Sequence, residues 1–443
     1  MKLFKSLYID RSLSVFLIAN VLVFILAFLI PGFLIAGKAL LLVTIVLIGL
    51  DLIALYRTKQ GVSAFRTCQE RFSNGDNNDV SITVHSSYTF PLQILIIDEL
   101  PFQFQIRDFF IKSCMKPGAT EQLSYTLRPV KRGVYSFGAL NVFASGPFRF
   151  LSRRYQFAQN QEVSVYPSFL MLKSYELQMQ ANRLKENGIR RYRKLGHSQE
   201  FDQVRNYVEG DDLRVINWKA TARNQHLMVN QYQDERARQI YCIIDKGRSM
   251  ELPFKGMSLL DYSINASLML SHLALKKYDR AGLVTFNRKV DTFLKASSDN
   301  NQLNTILQTL YLEKTAYHES DMSGLFTSLW KNLPNRSLLF LFTNFESSAS
   351  LSRQIALIRR LASRHLLVVV FFEDVMLKSF LDRRSESVDD IYTKTAVETL
   401  LMEKERIVKE LSRYGIATML TSPEQLTIHV INKYLELKSA NRL

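Results

Sequence analysis

QIYCIIDKGRSM, residues 239–250, decides how the second half of the chain reads. From Ile240 to Ile244 it is apolar without alternation, as in a strand buried on both faces of a parallel sheet. It then ends on an acid, Asp245, and a glycine turn. RAGLVTFN (280–287), SLLFLFTNF (337–345), LLVVVFFED (366–374) and GIATMLT (415–421) repeat the pattern, and VDTFLKA (290–296) adds a shorter strand. Between them lie segments with helical periodicity, at 259–278, 300–313, 323–333 and 352–364, and a charged helix from about residue 396 to 413. Apolar strands separated by amphipathic helices predict an α/β, doubly wound, mostly parallel sheet. Ligands of such sheets bind beyond the carboxyl ends of the strands. The residues after Ile244 and Phe342 are therefore where a site is expected.

Toward the N-terminus the rhythm changes. DVSITVHSS (79–87), PLQILIIDEL (91–100), EQLSYTLRP (121–129), GVYSFGALNVFA (133–144) and EVSVYP (162–167) alternate or run apolar, with Gly, Pro, Asn and Asp between them. Short strands at this spacing predict an antiparallel β-sandwich-like domain. Two apolar runs precede it, residues 14–30 and 39–56, joined by PGFLIAGK. With their flanks, both reach the roughly 20 residues that a membrane-spanning helix needs. A signal peptide is the competing reading of the basic start, but a second apolar run follows and no small-residue cleavage site is evident. Lys2, Lys5 and Arg11 precede the runs and Arg57, Lys59, Arg66 and Arg71 follow them, whereas the turn holds only Lys38. The positive-inside rule then predicts both ends of the hairpin in the cytoplasm, with the soluble part cytoplasmic. Residues 32–39 also fit the first seven positions of a phosphate-binding loop, but Ala39 replaces the hydroxyl residue and no strand precedes it, so nucleotide binding is rejected.

Composition agrees. Lys and Arg number 57 against 41 acids, a net charge of +16, which suits an anionic membrane face or nucleic acid. The strongest basic cluster, Lys185, Arg190, Arg191, Arg193 and Lys194, has only Tyr192 as a stacking platform, so no nucleic acid is expected as partner. Cys68, Cys114 and Cys242 are scattered, without the spacing of a zinc knuckle or a disulfide framework, as in a reducing compartment.

RNYVEGDDLRVINWKATAR, residues 205–223, lies just before the first apolar strand. Gly210 permits a tight turn; Asp211 and Asp212 are placed to cap a helix beginning near Leu213. Arg214 and Arg223 suit bidentate pairing with carboxylates, and Trp218 suits an anchor on the α/β domain. Beyond the strands, Asp245, Ser249, Ser320 and Asn344 offer hard oxygen donors from three loops, the kind that suit magnesium or manganese.

At those three loops the chain resembles the von Willebrand factor A fold and its metal-ion-dependent adhesion site, which reads Asp-x-Ser-x-Ser with a Thr and an Asp from two further loops. Asp245 and Ser249 match it, Gly247 replaces the first Ser, Ser320 stands for the Thr beside Asp321, and Asn344 replaces the last Asp. The resemblance implies a degenerate site that holds its cation weakly. The 205–223 segment, the hairpin and the A-like domain together resemble the MoxR-associated bacterial membrane family known as domain of unknown function fifty-eight, a resemblance that also takes in the β-rich domain. Arg205, Tyr207, Gly210, Asp211, Asp212, Arg214, Ile216, Trp218, Thr221, Ala222 and Arg223 match its signature, with Asn206 where an acid is common. This implies work with a MoxR-type AAA+ ATPase and with other membrane or A-domain proteins, in assembly or maturation of protein complexes.

The expected organisation is a cytoplasmic N-terminus (1–12), a transmembrane hairpin (13–57), a β-rich domain (58–168), a basic linker with the signature (169–238) and the von Willebrand factor A-like domain (239–443). No HExxH or GxSxG motif occurs, and the seven histidines are dispersed. No catalytic residue is assigned. The chain reads as an interaction or scaffold module, the alternative being a hydrolase that uses Asp211 and Asp212 as acid and base.

Overall fold

The computed structural model describes residues 6–30, 33–158, 160–169, 200–208, 216–224, 226–233, 238–315, 318–345, 348–381 and 388–440. Two compact units divide the chain, Met1–Tyr166 and Pro167–Leu443.

The first unit begins with a short strand, β1 (Leu7–Ile9), then the helices α1 (Arg11–Leu29) and α2 (Phe33–Arg57). Asp10 caps α1 by accepting from the Arg11 N–H at 2.7 Å. Each helix holds an 18-residue stretch with a mean hydropathy of 2.6, and at 19 and 25 residues they are long and apolar enough to cross a membrane. Residues 33–39, which mimic a phosphate loop in sequence, are part of α2. Asn20 Nδ2 donates to Thr44 Oγ1 at 3.1 Å, linking the two helices. Such an interhelical bond contributes roughly 0.6 kcal/mol in a membrane.

Ten strands follow: β2 (Val62–Cys68), β3 (Arg71–Ser73), β4 (Asn78–Ser86), β5 (Leu92–Asp98), β6 (Ile111–Met115), β7 (Thr120–Leu127), β8 (Gly133–Phe137), β9 (Leu140–Ser145), β10 (Leu151–Phe157) and β11 (Gln161–Tyr166). Sheets of order β1-β10-β9-β5-β6 and β2-β4-β7 are antiparallel throughout, while β3-β11-β8 contains one parallel pair, β3 with β11. Alternate residues of the two antiparallel sheets, such as Ile82 and Val84 against Ile94, Ile96 and Val142, share one core that also holds Leu55 of α2. The segment before the first apolar run is thus an edge strand of this unit. Asp51, the lone acid of the second run, is fully buried. Its carboxylate accepts from the backbone N–H groups of Phe148 (3.0 Å), Phe150 (2.8 Å) and Leu151 (3.4 Å), fastening the β9–β10 turn to α2.

In the second unit β12 (Glu200–Asn206) and β13 (Met228–Gln233) pair antiparallel around α3 (Trp218–Asn224). Then come β14 (Gln239–Asp245), a two-residue pair β15 (Pro253–Phe254) and β16 (Met257–Ser258), α4 (Leu259–Lys276), β17 (Arg280–Phe286), β18 (Val290–Ser297), α5 (Gln302–Leu312), α6 (Met322–Asn332), β19 (Leu338–Phe342), α7 (Ser348–Arg364), β20 (Leu366–Phe372), α8 (Val375–Leu381), α9 (Val388–Arg413), β21 (Ala417–Thr421) and α10 (Leu426–Ser439). The six-stranded sheet has the order β18-β17-β14-β19-β20-β21, parallel except for the edge strand β18. Counted along the chain this is 3-2-1-4-5-6, so the winding reverses between β14 and β19. Period-two alternation splits β14 cleanly. Ile240, Cys242 and Ile244 join a core with α4, α5 and α10, while Tyr241 and Ile243 face α6, α7 and α9. The sheet is therefore covered on both faces, as its unbroken apolar strands require.

Candidate functional site

The reversal point brings the named loop residues together. Asp245 ends β14 and is only 3% exposed. Its Oδ1 accepts from the Gly247 N–H at 2.8 Å and from the Ser320 hydroxyl, and its Oδ2 accepts from Thr343 Oγ1 at 2.7 Å. Burial pushes its pKa up, although the bonds from Ser320, Thr343 and Gly247 pull the other way. A Cβ on Gly247 would lie 2.1 Å from Ser320 Oγ, so this residue leaves room for the hydroxyl that engages Asp245. The neighbouring Asp321 does other work. It caps α6, accepting from the N–H groups of Ser323 (2.8 Å) and Gly324 (3.2 Å), and its pKa is lowered chiefly by the Ser323 hydroxyl.

Asp245, Ser249, Ser320 and Asn344 all line one cavity of about 220 Å³. Thr343, which closes the same apolar strand as Asn344, lines it too, and so do Arg248 and Arg353, which the sequence does not point to. Thr343 was legible, as the hydroxyl that closes an apolar strand. Arg353 was not, because a charged residue on α7 looks like solvated surface. Asn344 Nδ2 reaches the Ser249 carbonyl at 3.5 Å, while its Oδ1 is buried without a donor among the described residues. On the other side of the strand end, Lys246 pairs with Asp291 (2.7 Å) and Glu313 (2.6 Å). Glu313 also accepts from Thr285 (2.8 Å) and Thr292 (3.0 Å). That network holds the β14 end rigidly.

These donors fit a resident divalent cation poorly. The oxygens are hard, but Asp245 is the single anion of the implied set and both its oxygens already accept hydrogen bonds. Two guanidinium groups, Arg248 and Arg353, border the same cavity against one further carboxylate, Glu319. Among the described residues no group of three or more His, Cys, Asp or Glu could hold a metal ion.

In the signature segment, Gly210, Asp211, Asp212 and Arg214 lie outside the described residues, as does the 185–194 basic cluster. Two expectations are corrected. The helix begins at Trp218, and its cap is Asn217, whose Oδ1 accepts from the Ala220 N–H at 3.0 Å. Ile216, two residues before it, forms an isolated antiparallel bridge with Val229. Trp218 is 69% exposed, so the anchoring contact expected of it is not found among the described residues. Thr221 is structural, its hydroxyl accepting from the Met228 N–H at 3.0 Å. Tyr207 donates its backbone N–H to the Leu227 carbonyl, and Arg205 reaches the Asn206 carbonyl at 3.1 Å. Arg223 is exposed with Trp218, Lys219 and Ala222, at spacings that share a face of α3.

Together these features define a class: proteins with two apolar N-terminal helices, a strand-rich region and an α/β region carrying a polar pocket at its sheet reversal. Residues 203–402 match the family described as protein of unknown function DUF58. The chain is 23% identical over 257 residues to the uncharacterized protein YeaD of Bacillus subtilis (strain 168), covering 55% of this chain and 60% of YeaD. It is 22% identical over 198 residues to the uncharacterized protein Rv1480 of Mycobacterium tuberculosis, covering 44% and 59%. It thus spans about three fifths of the length of these curated relatives. Among solved structures, the CARDB domain of the PF1109 protein from Pyrococcus furiosus is similar over 24% of this chain and 86% of its own, at 10% identity and a TM-score of 0.18. Proximal thread matrix protein 1 from the mussel byssus is similar over 44% of each chain, at 11% identity and a TM-score of 0.26. Likenesses this distant carry no argument about the fold.

Proposed function

We propose that the protein is a membrane-anchored interaction module whose α/β unit is von Willebrand factor A-like and docks a protein partner at the Asp245 cavity. The partner class is a MoxR-type AAA+ ATPase, with other membrane or A-domain proteins as clients in assembly or maturation of complexes. The hairpin sits in a bacterial inner membrane with the rest of the chain cytoplasmic. The 3-2-1-4-5-6 order with an antiparallel edge supports the A-like reading. The observation that carries the docking reading is the state of Asp245. Its carboxylate is buried and fully engaged within the chain, so it shapes the pocket, while Arg353 from α7 brings positive charge to the pocket lining for an incoming anionic group. The exposed face of α3 adds an aromatic of the kind that dominates protein interfaces.

Co-purification of the full chain in mild detergent from its own host is the test. Recovery of a MoxR-type ATPase is expected, and its absence from repeated crosslinked preparations would overturn the assignment of partner. Magnesium or manganese, implied by the resemblance, is proposed only as a weak ligand. Calorimetric titration with magnesium is expected to give no saturating isotherm, and a tight one-site isotherm would contradict this.

A further inference from the structure

A second cavity, of about 860 Å³, lies in the first unit on the face of the β1-β10-β9-β5-β6 sheet that turns away from the shared core. The registers define its floor. Lys112, Leu95 and Phe143 stand side by side across β6, β5 and β9. One row over, Cys114, Gln93, Ser145, Ser152 and Tyr8 cross all five strands. Tyr8 packs edge-on against Phe143, with ring centroids 5.1 Å apart. Ile9, 70% exposed, and Phe110, 55% exposed, form an apolar rim.

The cavity's height relative to a bilayer follows from the chain path. Asp10 and Arg11, the cap and first residue of α1, both line it. The Asp10 carboxylate is engaged, accepting from the Arg11 N–H and from Ser145 Oγ at 3.1 Å, and so ties the start of the helix to the cavity floor. With 19 residues at about 1.5 Å each, α1 is only just as long as a hydrocarbon core is thick. Its first residue must therefore stand at headgroup level. The cavity offers two exposed cations there, Arg11 and Lys112, the latter 5.5 Å from the Phe110 ring, above a floor that is apolar at Leu95 and Phe143 and polar along the Gln93, Ser145 and Ser152 row.

We propose that this cavity binds the headgroup of an anionic phospholipid, its phosphodiester on Arg11 and Lys112 and its glycerol and first methylenes over Leu95, Phe143 and Ile9. The inference rests on the anchored reading of α1 and α2. Cys114, exposed on the cavity floor, is a built-in reporter. Cys242 is buried and its thiol is pushed up to about 12 by that burial, and Cys68 is removed by Cys68→Ser.

The full chain, labelled at Cys114 with a fluorophore, is reconstituted into vesicles containing nitroxide-bearing phosphatidylglycerol or nitroxide-bearing phosphatidylcholine. Stronger quenching by the anionic lipid is expected. The double variant Arg11→Gln/Lys112→Gln is expected to weaken that preference by about thirtyfold, the effect of two interfacial charges. Free glycerol phosphate is expected not to relieve the quenching. Equal quenching by both lipids, an unchanged preference in the double variant, or relief by glycerol phosphate each overturns the lipid site. Flotation of the same vesicles separates the two readings. A chain that floats without lipid-selective quenching defeats the site alone, and one that does not float defeats the anchor and the site together.

Discussion

Asp245 keeps a carboxylate where burial opposes its charge, and this has a pH signature. Its pKa is raised, so the folded chain holds the proton more tightly than the unfolded chain does. Stability on this account is full below the ordinary aspartate range and falls as pH rises from that range through the raised value. Asp245→Asn is therefore expected to raise the melting temperature at neutral pH, by an amount that shrinks on acidification. Thermal unfolding of the detergent-solubilised chain across that range measures it, and an advantage that grows on acidification contradicts it. Gly247→Ser restores the hydroxyl of the A-domain pattern, but its Cβ would meet Ser320 Oγ at 2.1 Å. We expect a loss of about 1–3 kcal/mol, read by denaturant unfolding. Asp245, Ser249 and Asn344 stand out in the sequence because polar residues just beyond apolar strands do, whereas Ser320, in the loop between α5 and α6, reads only as a loop hydroxyl. What sequence could not give was direction. That Ser320 turns to Asp245 while Asp321 turns to the α6 backbone depends on which loop crosses the strand end.

At the scale of elements, periodicity served well wherever a segment is buried on a regular face. The five parallel strands and the helices between them sit close to where their apolar spacing indicated. Other elements escaped, among them β2, β6, β10, β12, β13 and α8, which none of the runs singled out in the sequence covers. β1 is only three residues long and is stabilised by its partner β10, not by its own pattern. The helix after residue 421 was unread although Leu426, Val430, Tyr434 and Leu437 carry a helical period onto the α4 side of the sheet. The signature helix starts later than its acids implied, because tertiary pairing of Ile216 with Val229 overrides local capping preference. Asn217→Ala is accordingly expected to destabilise by about 1 kcal/mol. Asp51→Leu should be worse, since it leaves three backbone donors without an acceptor. A loss of about 3 kcal/mol or more is expected. Limited proteolysis at the turn of residues 146–150 reads it, and unchanged protection would refute the clamp.

For the molecule as a whole, the two units carry different jobs. The first joins the apolar helices to a β core through Leu55 and Asp51, and the second offers a polar pocket and an exposed aromatic face. Trp218→Ala separates stability from docking. An exposed residue contributes within about 0.5 kcal/mol to folding, yet as an interface anchor its loss should weaken partner binding by more than about 1 kcal/mol. The docking claim itself is tested most directly by the equilibrium affinity of the full chain in detergent for a purified MoxR-type ATPase from the same host, wild type against Arg353→Glu. The account predicts measurable binding that falls about tenfold on charge reversal, with the melting temperature unchanged. Binding of equal strength in both proteins, or none in the wild type, would contradict it.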